Sequence, residues 1–345
     1  MDPHCIKVLE CIKTKGIGAK GFWNIYKSQA LNINLTKKWI IDHGHTVPSV
    51  HHIVAKHEKA NISTLCFCQE DYPDSFKSIP NPPPILFYRG NISLLKNNLI
   101  GIVGARNASY SGKKIAFMMA SALCENYNAT IISGLAKGID TSAHKGSLEH
   151  GCIGVIAQGL DIVYPKENEI LYRELVEKGG LILSELEMGI PPNAFSFPVR
   201  NRIIAALCQG LVVIEAAFQS GTLTTAKAAL EFNKDVFVIP GSPLDPRYKG
   251  SHKLIKDGAI LVEDAADVMQ HSGFLKAVKI DAQPQKDACH EHEILEAMNF
   301  NDPISLEELC SSINTYPQII MPLIVDFELQ GKIKKTRDGR FLKMK

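Results

Sequence analysis

The sequence predicts a doubly wound α/β fold, and two observations carry that prediction. Short apolar runs recur through the central part of the chain, at 99–103, 129–132, 152–157, 181–183, 211–214, 236–239 and 259–262. They are continuous and do not alternate with polar residues, as strands buried on both faces require. Between them lie helical patterns at 111–126, 140–150, 167–178, 201–208, 221–232, 250–257 and 264–270. Steady alternation of this kind means parallel strands joined by helical crossovers.

Ahead of the sheet, residues 1–70 read as a small helical domain of SAM or helix-hairpin-helix type. An apolar helical pattern over Cys5–Ile12 leads into KTKGIGAKGFWNIYK, where glycines at 16, 18 and 21 mark a tight turn between helices. The free amides of that turn, with Lys13, Lys15 and Lys20 beside them, suit a phosphate. A sharp turn explains the same glycines equally well. The sheet domain is expected over 71–275. Its first segment, 71–97, has five prolines and reads as an extended connector containing one strand, ILFYRG.

A polar linker is expected at 276–289 and a winged-helix-like domain at 290–345. Helical patterns at 291–299, 305–312 and 318–329 precede a basic, glycine-containing hairpin at 331–343. The third of these, PQIIMPLIVDFELQ, has no Lys or Arg, and Pro322 should delay or kink its start. A helix that reads the major groove needs positive charge. Packing or a protein contact suits this one better.

Length and composition set the outer bounds. The 345 residues allow two or three domains. No stretch approaches the ~18 apolar residues of a membrane span, and the N-terminus lacks the apolar core of a secretory signal. Nine cysteines at irregular spacing fit reduced thiols in a cytoplasmic protein. The net charge of +2 argues superficially against nucleic acid. Its distribution does not. Residues 1–60 carry nine basic and four acidic side chains, and residues 331–345 seven and one. Residues 284–330 carry one lysine against nine acids.

In an open parallel sheet, ligands bind beyond the carboxyl ends of the strands. Those ends hold Gly104-Ala105-Arg106-Asn107, then Ser133-Gly134 with Lys137, then Tyr164-Pro165-Lys166, Ser220-Gly221-Thr222 and Pro240-Gly241-Ser242. Glycines and hydroxyls at helix starts offer free N–H groups and a positive dipole end. With Arg200 and Arg202 added, this edge is expected to take phosphates. It has no GxGxxG after the first strand and no P-loop, so the ligand is not the usual dinucleotide or nucleoside triphosphate. Phe195, Phe197 and Tyr164 could stack on the bases of a single strand. Catalysis has little support: Glu215, Asp140 and Asp161 sit at strand ends, where acids commonly cap helices, and His144 reads as structural. Cys289-His290-Glu291-His292 and Cys66-Phe67-Cys68 lack the paired spacing of a four-ligand zinc site. Neither a metal nor any cofactor is expected.

The motifs GIVGARNASYSG, SGLAKGIDTSAHKGSL, GLDIVYPKEN, FPVRNRIIAAL, EAAFQSGTLTTAKAALE and VFVIPGSPLDPRYKGSHKLIKDGA resemble, in order and spacing, those of the DNA-processing protein A family, DprA or Smf. The resemblance implies an extended Rossmann-like fold and no catalysis. It implies a protein that binds and protects incoming single-stranded DNA and loads the recombinase RecA during natural transformation or DNA uptake. Arg106 and Lys166 would line the DNA pocket. Gly104, Ser133, Gly134, Lys137, Phe197, Arg200, Asn201, Arg202, Ser220, Gly221 and Thr222 would lie along the same edge, with Lys234 a further contact. A homodimer and RecA surface is implied around His252, Ile255 and Leu261. Ala105, Val199 and Gln219 depart from the family's commoner residues. The alternative is a lysine-decarboxylase-like nucleotide phosphoribohydrolase, which would work through Glu215 but would carry PGGxGTxxE. Here SGT is followed by LTTAK.

Overall fold

The computed structural model describes residues 2–271 and, beyond them, 294–295, 297–298, 302–313, 317–336 and 339–344. The chain forms two compact units, Met1–Leu275 and Lys276–Lys345.

The first unit opens with four helices: α1 (Pro3–Lys13), α2 (Gly18–Ser28), α3 (Ile33–Asp42) and α4 (His51–Lys59). Asp2 caps α1 by accepting from the amides of His4 and Cys5, and Asn32 caps α3 in the same way. Nine strands follow in one sheet: β1 (Ser63–Cys66), β2 (Ile85–Gly90), β3 (Leu99–Gly104), β4 (Thr130–Ser133), β5 (Cys152–Ile156), β6 (Leu181–Ser184), β7 (Gly210–Ile214), β8 (Asp235–Val238) and β9 (Ile260–Leu261). The strands from β3 to β9 are all parallel, in the order β6-β5-β4-β3-β7-β8-β9. Two antiparallel strands, β2 and then β1, extend the β6 side.

Strand β1 is a correction to the sequence reading, which placed Ser63–Cys66 inside the helical domain. STLC is too short to show a period, and its pairing with β2 fixes it as a strand. The helices and the sheet also share one core. Val8, Leu9, Phe22 and Ile40 from the helices join Ile85, Phe87, Ile100 and Ile131 from the strands in a single buried cluster.

The crossovers are α5 (Tyr110–Tyr127), α6 (Ile139–Ser147), α7 (Glu169–Glu177), α8 (Ser196–Leu207), α9 (Gly221–Glu231) and α10 (Lys249–Lys256), and α11 (Ala265–His271) follows the last strand. Alternate strand residues serve two cores. Val212 and Ile214 face one, with α5 and α6, whereas Leu211 and Val213 face the other, with α8 and α9. Helix α8 begins five residues before the 201–208 pattern. Pro198 falls in its first turn, where a missing N–H is harmless. Phe197 and Arg200 are thereby held on a helix.

After β6 the chain returns to pair β7 with β3, on the side of β3 away from β4. The loops after β3 and β7 therefore run apart, leaving a crevice at this switch of strand order.

In the second unit, α12 (Leu306–Ser312) starts with a capping box between Ser305 and Glu308. Helix α13 (Pro317–Leu329) leads to the hairpin β10 (Ile333–Lys335) and β11 (Phe341–Lys343). Ile320, Ile324 and Phe327 of α13 are buried with Leu309, Ile333 and Phe341. Contrary to the expected late start, α13 runs through position 322. Its buried apolar stripe outweighs one lost hydrogen bond. The expected linker at 276–289 and most of the 291–299 pattern, with Cys289-His290-Glu291-His292, lie outside the described residues. Among the described residues no helix is long and apolar enough to cross a membrane.

Candidate nucleic-acid interface

A groove of about 960 Å³ fills the crevice between β3 and β7. Gly104, Arg106 and Asn107 form one wall, Ser220, Gly221 and Thr222 another, and Phe197, Arg200 and Asn201 the third. A smaller recess of about 140 Å³ adjoins it, bordered by Gly134, Lys137, Tyr164 and Pro165. Arg106, Ala136, Phe197 and Arg200 line both, so the two form one surface.

The loop after β3 is held by buried polar contacts. Ser109 caps α5, its hydroxyl accepting from the Gly112 amide at 2.9 Å. Its own amide donates to Glu215 at 2.8 Å, its hydroxyl also donates to that carboxylate, and the Tyr248 hydroxyl donates at 3.2 Å. Glu215 is fully buried, at φ 54°. It ties three loops together and does not line the groove, so the acid through which the phosphoribohydrolase alternative would work is held out of it. Gly138, at φ 81°, lets the loop after β4 touch this one: a Cβ there would lie 2.5 Å from the Arg106 carbonyl oxygen.

Arg200 forms the floor. It is 6% exposed, and its guanidinium donates to the carbonyls of Gly134 at 2.5 Å and of Val155, and to Asn201 Oδ1 at 3.0 Å. Asp140, at the start of α6, accepts from the Gly134 amide at 3.1 Å. Burial lowers the Arg200 pKa and raises that of Asp140, each opposed by the other's charge. A Cβ on Gly134 would meet the guanidinium at 2.5 Å, so the glycine is needed for this contact.

The outward-facing charges differ in availability. The Arg106 guanidinium lies 4.7 Å above the Phe197 ring, and the Tyr164 ring lies 6.0 Å from Phe197. Among the described residues, neither Arg106 nor Lys166 makes an ion pair, and both are exposed. Lys137 pairs with Glu167 at 2.5 Å, both half exposed. At the opposite wall, Ser220 caps α9 by position without a side-chain bond, and its hydroxyl oxygen is buried without a partner. That helix start leaves amides and a hydroxyl unclaimed.

Several expected residues stand elsewhere. Ser133 is buried, its hydroxyl donating to the Ile102 carbonyl at 2.6 Å. Gly134 is packed against the Arg200 guanidinium and reaches the surface only at the smaller recess. Arg202 forms a bidentate pair with Glu185, at 2.6 and 2.7 Å, and borders a different recess beside α1 and α2. Lys234 precedes β8 and so stands at the opposite end of the parallel strands from the groove. His252 is engaged with the Gly241 carbonyl at 3.0 Å, and Ile255 packs on the core, whereas Leu261 is 48% exposed on the last strand.

The sequence reading missed Asp245, Pro246 and Arg247, which close one end of the groove. Arg247 is held by Asp245 through contacts of 2.6–3.1 Å. The signal was present: Gly241-Ser242 ends a strand on the ligand edge, and these residues continue that loop.

Fold and groove together define a class: a doubly wound α/β protein whose switch-point cleft offers a cation, helix-start amides and two aromatic rings to a phosphate-bearing ligand. The profile of the family described as DNA recombination-mediator protein A matches residues 63–273, and the chain belongs to that family. DNA processing protein DprA of Streptococcus pneumoniae is 45% identical over 205 residues, covering 59% of this chain and 72% of that protein. The X-ray structure of DprA from Streptococcus pneumoniae superposes with a TM-score of 0.66 at 33% identity, over 77% of this chain and 95% of that one. DNA processing protein A of Helicobacter pylori, whose structure was described for its single-stranded DNA binding mode, gives 0.56 at 29% identity, over 63% and 96%.

Proposed function

We propose that this protein binds single-stranded DNA in the groove between β3 and β7 and passes it to RecA recombinase, during natural transformation or DNA uptake. The observation that carries the proposal is the exposed Arg106, without an ion pair among the described residues, over the Phe197 ring at the switch point, with Tyr164 beside them. A single strand exposes both phosphates and base faces, and this arrangement offers a partner to each. Duplex DNA hides its base faces and fits less well. The chain works in the cytoplasm as a homodimer without catalysing a reaction, the edge beside Leu261 serving the contact. Lys166 and the start of α9 hold further phosphates, and Lys137 joins them when the strand displaces Glu167.

The test is binding of fluorescent oligo-dT at several salt concentrations. Wild type should bind with a slope of log K against log[salt] near −0.7 for each phosphate neutralised. Arg106→Ala should weaken binding by more than about tenfold and make the slope shallower. Unchanged binding would remove the groove from consideration. Added RecA should form filaments faster on strands carrying the wild-type protein.

A further inference from the structure

Cys66-Phe67-Cys68 lacks the spacing of a zinc site when read along the chain, but the fold adds a third thiol. Cys5, in the first turn of α1, lies 63 residues from Cys68, and their sulfurs are 3.9 Å apart. Cys66 and Cys68 sulfurs are 3.2 Å apart, and all three lie within 4.8 Å of one another. A tetrahedral zinc ion with Zn–S bonds of about 2.3 Å needs its sulfurs about 3.8 Å apart. The separations of 3.2 and 3.9 Å bracket that value.

We propose that Cys5, Cys66 and Cys68 bind one zinc ion, at the seam between the helices and the edge strand β1. Three thiolates are the donor set of a thiophilic cation. Among the described residues the cluster holds these three thiols alone; the His4 ring nitrogen, buried without a hydrogen-bond partner, stands outside it, so the fourth position falls to water. Phe67 packs against Phe22, Trp23 and Tyr26, giving the site an apolar flank, and exposed Cys68 gives the ion a way in. A disulfide would need two sulfurs at about 2.05 Å and would leave the third thiol out. Zinc engages all three, each bound thiol releasing its proton to solvent. Bound there, the ion pins α1 to the sheet.

The test uses the full chain, produced with zinc in the medium and purified with a phosphine reductant and no chelator. Elemental analysis should find one zinc per chain. Cobalt exchanged into the site should show sulfur-to-metal charge transfer and the intense visible bands of a tetrahedral ion. Cys68→Ser, at an exposed position, should fold, lose the zinc and weaken metal affinity by more than the roughly 10- to 100-fold that loss of an outer-shell partner costs. Chelation should lower the Tm of wild type and leave that of Cys68→Ser unchanged. Zinc retained by Cys68→Ser but lost in Cys289→Ser would place the metal in the other unit and overturn the proposal. So would a metal-free wild type, or an intact mass lower by two hydrogens under the same reductant.

Discussion

Arg106 and Arg200 stand in one groove and do different work. Arg106 is exposed and free to meet a ligand, whereas Arg200 spends its donors on the protein's own carbonyls. Arg200→Ala would leave buried carbonyl oxygens unpaired and Asp140 without its counter-charge. The expected loss is more than about 2 kcal/mol of stability, read from urea midpoints. Arg106→Ala should leave those midpoints alone. The sequence placed both residues on the ligand edge, because strand ends are legible from apolar runs. It could not separate them, since burial depends on which loop crosses over which helix.

His144 makes a prediction of another kind. It is fully buried, with a ring nitrogen 3.3 Å from the Cys152 sulfur, and burial pulls its pKa down to about 3. The unfolded chain takes up this proton near pH 6.5 and the folded chain does not. Stability should therefore fall as the pH drops from about 6.5 towards 3, by up to about 1.4 kcal/mol per pH unit. His144→Gln should flatten that part of the profile in urea melts taken across the range. An unchanged profile would assign the acid sensitivity to other groups.

At the scale of elements, the parallel core was readable and the margins were not. Strands β3 to β8 fall where the apolar runs are, because a strand buried on both faces leaves a continuous signature. Strand β1 escaped because four residues carry too little pattern, and the 201–208 helical pattern left out the first five residues of α8, whose first turn holds Pro198. The last strand, β9, has only Ile260 and Leu261 and pairs on one side with β8. An edge that no further strand pairs among the described residues, with an apolar side chain on it, is a natural place for two copies to meet. Leu261→Lys is expected to convert the proposed dimer to a monomer in light scattering. A variant that stays dimeric would place the contact on another surface.

For the whole molecule, the two ends of the chain should respond differently to deletion. The groove is built from residues of the first unit alone. A chain ending at residue 275 should keep its affinity for oligo-dT, and a loss of about tenfold, or about 1.4 kcal/mol, would contradict this. Removing residues 1–62 is another matter. Phe22 and Ile40 share a core with Ile85 and Phe87, and His57 stacks on Phe87 at 4.4 Å. That deletion should expose an apolar face and give an insoluble or partly unfolded product, visible as early melting. Composition and hydropathy suggested a separable helical domain, because a helical segment announces its period but not its packing partner. Its charge was misleading too: Lys13 and Lys37 of the basic N-terminus bind Glu187 and Glu10.

If the groove takes single strands as proposed, the anchoring of Arg200 bears on which strands enter. With that side chain fixed to two carbonyls, the floor beneath any ligand is already in its final shape. Little entropy is then lost on the protein side, and the ordering falls on the nucleic acid. A strand whose bases are already loose breaks no stacking on entry, although it has the more freedom to lose. A tract of stacked purines would first have to come apart, so under the proposed function the groove would favour strands that are already unstacked.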